Sequence, residues 1–215
     1  MYMKKGFTLA EVLITLGIIG VVAALTMPSL ISNYRKHAVE TKLKKVYSAM
    51  NQAIAMSVAE NGDYSNWVKD CGTSTAITCT VPEAQYWFME YIGKNLKILK
   101  IVPQDTYFLV YLADGGILEI RSFLYDIPYY IDEKALDNKV NGVNRFMFRF
   151  MPTGINGDEA ARNKGFEPYT YLTWDGTREQ LLNASSYSCA QGGQYCTKLI
   201  QWDGWKISDD YPFKF

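Results

Sequence analysis

Between Val12 and Ile31 the chain carries no charged side chain, and this run limits what everything after it can be. Roughly 20 residues at about 1.5 Å each make a helix of about 30 Å, the thickness of a bilayer's hydrocarbon core. A secretory signal has a shorter apolar stretch with a small-residue cleavage site after it. Here the distinctive residues come before the run, as Lys4-Lys5-Gly6-Phe7-Thr8-Leu9-Ala10-Glu11. Two lysines precede a glycine, a phenylalanine follows it, and one carboxylate stands five positions beyond the glycine. The run reads as a membrane helix.

This arrangement resembles the class III leader of type IV pilins and of type II secretion pseudopilins. The resemblance is close over about the first 35 residues and weak beyond the first helix. It implies that a prepilin peptidase cuts after Gly6, so the apolar helix stays on the mature chain, and that Phe7 becomes an N-methylated terminus. Glu11 matches the family's acidic residue. Gly20 and Pro28 match positions where such helices carry a weakening glycine and proline.

The physics of Glu11 agrees with the resemblance. A carboxylate in an apolar helix costs up to roughly 2.5–3.5 kcal/mol at the helix centre, less near an end, and is usually retained because it finds a partner. After cleavage the cation near its depth is the new α-amino group of Phe7. Within one chain the two lie about one helical turn apart. Between staggered neighbours the same pair becomes an intermolecular lock that fixes axial register.

Charge and cysteine give opposite orientations. Lys4 and Lys5 precede the span, while Arg35, Lys36, Lys42, Lys44 and Lys45 follow it, which by the positive-inside rule places the following part in the cytoplasm. Against this, four cysteines fall in two close pairs, Cys71/Cys79 and Cys189/Cys196, as suits disulfides in an oxidising compartment. Local pairing is expected, as one of three connectivities. The leader also implies export, so the expected place is the inner membrane, single-pass, with the head extracytoplasmic.

Four stretches are expected: a leader at 1–6, an apolar helix at 7–31, its amphipathic continuation at 32–62, and a globular head at 63–215. Val39, Leu43, Val46, Tyr47, Met50, Ile54 and Val58 form a helical stripe, and Asn61-Gly62-Asp63 supplies the stop. The result is one helix of about 50 residues, interrupted at Pro28, where a donor is lost. Thr80-Val81-Pro82-Glu83 opens a second helix, with Phe88, Met89, Ile92 and Leu96 on one face. Thr106–Leu112 and Ile117–Phe123 are strands joined by Asp114-Gly115-Gly116. Arg145–Phe150 and Tyr169–Trp174 read as further strands. A helix followed by antiparallel strands gives an α+β fold, a long helix packed on a small sheet head.

Catalytic chemistry is sparse in the 215 residues. The one histidine, His37, follows the span closely and reads as a surface residue. The cysteine gaps are too long for a zinc knuckle, and no phosphate- or dinucleotide-binding glycine pattern occurs. The acid pairs Asp132/Glu133, Asp158/Glu159 and Asp209/Asp210 read as solvated loops. Many pseudopilins hold calcium in a loop, and Asp132–Gly142 is similar in position. That loop departs from the family pattern, its acids are dispersed, and Lys139 lies among them, so an ordinary turn is expected and no cofactor. Balanced charge, 22 basic against 22 acidic residues, argues against nucleic acid as a partner.

The resemblance implies a filament subunit and not an enzyme. Expected partners are other copies, other pilin-like subunits, the prepilin peptidase, an inner-membrane assembly platform and the bilayer. The rival is a monomeric membrane-anchored extracytoplasmic domain that binds a ligand or catalyses a reaction. Only the filament subunit has a reason to be cut between Gly6 and Phe7.

Overall fold

A computed structural model describes residues 6, 8–67, 79–121, 126–150, 165–170 and 174–215. Phe7, Cys71, Phe123 and the Asp158/Glu159 pair lie outside these residues, as does the middle of the expected strand Tyr169–Trp174. The chain divides into two compact units, Met1–Ala38 with Phe215, and Val39–Lys214. The architecture is α+β and pilin-like, a long first helix followed by a six-stranded antiparallel sheet.

Helix α1 spans Leu9–Asn61. It ends where Asn61-Gly62 placed the stop. Gly62 takes φ +77°, the left-handed conformation that favours glycine, and its N–H bonds back to the Val58 carbonyl at 2.9 Å. The weakening expected at Gly20 and Pro28 does not divide α1, because helical geometry continues through both. Proline removes a single donor, and the turns on either side keep theirs.

In the first unit the apolar side chains of α1 are exposed all round, from Leu9 to Ile31. Both threonine hydroxyls in this stretch are satisfied locally: Thr15 donates to the Val12 carbonyl and Thr26 to that of Val22, each at 2.9 Å. A helix able to enter lipid must meet its polar groups this way.

In the second unit the stripe on α1 turns inward. Val39, Leu43, Val46, Met50 and Ile54 are buried, while Tyr47 and Val58 are half-buried. Polar contacts fix the helix at several points. Asn51 makes a two-way bond with the Phe166 backbone, its Nδ2 donating at 2.8 Å and its Oδ1 accepting at 2.9 Å. The Tyr47 hydroxyl donates to Glu167 at 3.2 Å, and the Ile207 N–H donates to Glu40 at 2.8 Å.

The sheet runs β1 (Ile98–Pro103), β2 (Tyr107–Leu112), β3 (Ile117–Arg121), β4 (Asp126–Tyr130), β5 (Arg145–Arg149) and β6 (Glu167–Pro168), each beside its sequence neighbour. Adjacent residues of β2 to β5 are buried alike, so both faces are covered. One face is dry and aromatic, with Phe108, Tyr129, Phe146 and Phe148. Phe88 of helix α2 (Val81–Tyr91) meets Phe108 at 5.7 Å, and Phe166 stacks on Phe148 at 4.5 Å. The other face packs Leu109, Ile117 and Tyr130 against Ala135. It also holds Glu119, 2 % exposed, which accepts from the Tyr130 hydroxyl at 2.6 Å and pairs with Arg121 at 2.9 Å. A buried carboxylate needs such partners.

The Asp114-Gly115-Gly116 hairpin forms as expected, with Gly115 at φ +81°. Thr80 caps α2 in a reciprocal capping box with Glu83. Two expectations are corrected. Helix α2 ends at Tyr91, so Ile92 and Leu96 follow it instead of extending its face. The strand expected at Tyr169–Trp174 pairs earlier, at Glu167–Pro168, and Tyr169, Thr170 and Trp174 are not in strands. Two short helices, α3 (Arg178–Leu182) and α4 (Cys196–Trp202), complete the head.

Candidate functional site

The residues singled out for assembly cluster at the start of α1. Thr8 precedes the first helical residue and Glu11 stands at its third position, so the pair forms a second capping box. The Glu11 carboxylate, through Oε2, accepts from the Thr8 N–H and the Thr8 hydroxyl, both at 2.8 Å. The Glu11 N–H in turn donates to Thr8 Oγ1 at 3.3 Å. Helix starts leave donors unsatisfied, and this arrangement answers them. The sequence reading misses Thr-x-x-Glu here because it treats Glu11 only as a charge in search of a cation. The other carboxylate oxygen, Oε1, takes no bond among the described residues.

Beyond this box lies the apolar stretch. Its most apolar 18-residue window has a mean hydropathy of 2.3 and none of it is buried. The space around Gly17 and Gly20 is open, with nothing within 4 Å of where a Cβ would stand. An apolar helix uncovered on all sides is suited to lipid or to other helices, not to water.

The cysteines lie in the head. Cys189 and Cys196 form a disulfide with a Cα separation of 4.5 Å, and both are fully buried where the α3–α4 loop enters α4. Cys79 is also disulfide-bonded; its expected partner, Cys71, lies outside the described residues.

Nothing resembling a catalytic constellation accompanies them among the described residues. His37 is exposed on α1, and no group of three metal-ligating side chains occurs among those residues. In the loop compared with calcium-binding loops, several oxygens serve local bonds, and Glu133 pairs with Lys100 of β1 at 3.6 Å. Asp132 accepts from the Ala135 N–H at 3.0 Å, Asn144 accepts from the Val140 N–H at 2.8 Å, and Asn141 accepts from Arg145 at 3.2 Å. Lys139 lies over the Tyr130 ring. A groove of about 450 Å³ beside α1 has one acid, Asp114, and Lys45 pairs with it at 3.3 Å.

One acid pair read as a solvated loop is partly engaged instead. Arg178 binds Asp210 at 2.8 Å and Asp203 at 2.7 Å, and Ser208 adds a bond to Asp203 at 2.9 Å. The guanidinium holds both carboxyls below their usual range.

The model of a family described as "Family of unknown function (DUF6613)" matches residues 29–215. The chain belongs to DUF6613. The match takes in the amphipathic part of α1 and the whole head of this DUF6613 member. A second model, described as the prokaryotic N-terminal methylation motif, matches residues 1–27. It indicates a class III prepilin leader, as in type IV pilins and pseudopilins, joined here to a DUF6613 head. The protein is therefore a type IV pilin-like precursor with a membrane-anchoring helix. No curated protein and no solved structure matches this DUF6613 chain.

Proposed function

We propose that this chain is a structural subunit of a type IV pilus-like or type II secretion pseudopilus filament. The observation that carries the reading is an apolar helix left entirely uncovered directly behind a methylation motif. Residues 1–6 are removed by a prepilin peptidase, and Phe7 becomes the methylated N-terminus. The subunit waits in the inner membrane and then joins other copies and other pilin-like subunits through an assembly platform.

Glu11 then has two roles on one carboxylate. Oε2 keeps the helix start closed through Thr8, while Oε1 accepts from the Phe7 ammonium of a neighbouring subunit. The first satisfies the carboxylate with neutral donors, whereas the second neutralises its charge in an apolar surround and fixes how far one helix is displaced along the next.

Two observations support an extracytoplasmic head. A buried disulfide suits an oxidising compartment. Two of the lysines that weigh towards the opposite orientation are used in the fold. Lys42 donates to the Ile131 carbonyl and to that of Asp114, at 3.4 Å for the latter, and Lys45 pairs with Asp114. Their charge secures α1 to the head, which reduces the weight of the positive-inside count.

Mass spectrometry of the native N-terminus tests the reading. The expected mature chain begins at methylated Phe7. A chain beginning at Met1, or one cut after the apolar run, overturns it in favour of a simple anchor.

A further inference from the structure

The basic residues after the apolar run divide into two groups. Lys42 and Lys45 are bound to the head, as described. Arg35 and Lys36 make no ion pair or hydrogen bond among the described residues. Beside them on α1 stands Tyr34, 74 % exposed. Tyr34 and Arg35 are exposed and Lys36 is half-buried, so one turn beyond the apolar run the chain carries a tyrosine and two cations whose charges meet no partner among the described residues.

Depth accounts for them. Ile31 closes the apolar run, and Arg35 and Lys36 follow by four and five residues, about 6 and 7.5 Å along the helix. The headgroup layer on each side of the hydrocarbon core is about 5–7 Å thick. With the apolar run in the core, both cations reach the phosphate level. Tyr34 falls at the boundary, where tyrosines and tryptophans concentrate.

We propose that Tyr34, Arg35 and Lys36 form a headgroup-binding collar for anionic phospholipid at the C-terminal end of the span. The collar rests on the membrane-spanning reading above and adds to it a ligand chemistry, a lipid phosphate carrying net negative charge. Two cations at a membrane surface attract such lipids electrostatically. The phenol hydroxyl adds a hydrogen-bond donor at the same level. The collar fixes how deeply the subunit lies before assembly, and extraction into a filament must break it.

The test uses the full chain in phosphatidylcholine vesicles, probed with spin-labelled phosphatidylglycerol or spin-labelled phosphatidylcholine. The fraction of motionally restricted label gives the relative association of each lipid. Wild type is expected to favour the anionic label roughly tenfold at low salt, with the preference shrinking at about 1 M NaCl. Arg35→Gln with Lys36→Gln should cut the ratio several-fold, the remainder coming from Lys4 and Lys5 at the other end of the span. The swap Arg35→Lys with Lys36→Arg should keep the preference, and so should Lys44→Gln in the second unit.

Equal restriction of the two labels by a wild-type chain that resists alkaline carbonate extraction overturns the collar alone. Release of the chain by carbonate overturns the collar together with the membrane span. A double variant that keeps the anionic preference but no longer enters filaments would assign the cations to a neighbouring subunit, and the lipid proposal would be wrong.

Discussion

Glu11 is the residue on which the proposed assembly turns, and its geometry separates two effects. Its substitution by alanine opens the capping box with Thr8 and removes the acceptor for a neighbour's ammonium. Losing one partner of a buried pair typically costs about 3–5 kcal/mol. Glu11→Ala should therefore insert, fold its head and be processed at Gly6, yet fail to enter filaments. Pull-down of tagged subunits by wild-type filaments measures this. Equal incorporation would leave Glu11 as a helix cap and nothing more. The same residue illustrates what sequence reveals and what it hides. Its charge in an apolar context is legible, whereas its bond to Thr8 depends on where the helix begins, a boundary that hydrophobicity alone does not mark.

Arg178 supports a second prediction at this scale. Asp203 and Asp210 have folded-state pKa values lowered by the Arg178 guanidinium. A depressed carboxyl stabilises the fold above its unfolded pKa, about 3.9, and that contribution is lost as pH falls towards the folded value. Urea titrations of the head should show this share intact from about pH 7 to about 5 and falling below about pH 4. Arg178→Gln should flatten the acid slope. Parallel curves for variant and wild type would remove the cluster from the account of acid stability. In the sequence these acids look like loop charges, because nothing in their spacing announces an arginine 25 and 32 residues away.

At the scale of elements, the sequence is legible where a local rule acts and opaque where a neighbour decides. The α1 stripe, the Asn61-Gly62 stop, the capped start of α2 and the Asp-Gly-Gly hairpin all follow from short-range chemistry. Strands β1 and β4 do not, and sequence reasoning misses them. Leu96 continues the spacing of α2, but the chain turns at Gly93, where a Cβ would meet Met89 Sδ and Phe88. The edge strand β1 then follows, with a register shift between Ile98 and Lys100. Strand β4 contains Pro128, which argues against an inner strand. It is accommodated because the β3–β4 ladder stops at Leu118↔Tyr129, before reaching Pro128, while β5 pairs with all of β4.

The element-level prediction concerns the buried disulfide. Replacing Cys189 and Cys196 together by serine removes a short loop closure worth roughly 2–3 kcal/mol in the chain-entropy model and places hydroxyls in a buried site. The head should melt several degrees lower, or fail to accumulate, while membrane insertion of α1 is unaffected. A melting curve superimposed on that of wild type would show the bond to be dispensable.

For the whole molecule, the decisive step of the proposed function is maturation. A bulky side chain at position 6 would occupy a place the peptidase shapes for glycine, so Gly6→Leu should leave an uncut precursor in the membrane with a folded head. Immunoblotting reads this as a single slower band. Normal processing of Gly6→Leu would move the cleavage point away from Gly6. The anchoring half is more legible than the head, because lipid imposes one requirement on every residue of the span, whereas the head's contacts are set pair by pair.

The order of the sheet bears on how such a chain is made. Each strand lies beside its sequence neighbour, so no strand must wait for a distant partner, and low contact order favours rapid folding. In the proposed export, a head that emerges across the membrane behind its anchor can lay down β1 to β6 hairpin by hairpin. The long-range bonds form late. The Ile207 N–H reaches Glu40 across 167 positions, and the Tyr211 hydroxyl reaches the Gly142 carbonyl across 69, at 2.6 Å. In the proposed export the sheet therefore comes first and the Glu40 fastening last. A subunit stalled before residue 207 has crossed holds α1 through Lys42, Lys45, Tyr47 and Asn51, without the bond from Ile207 that closes the end of the head onto it.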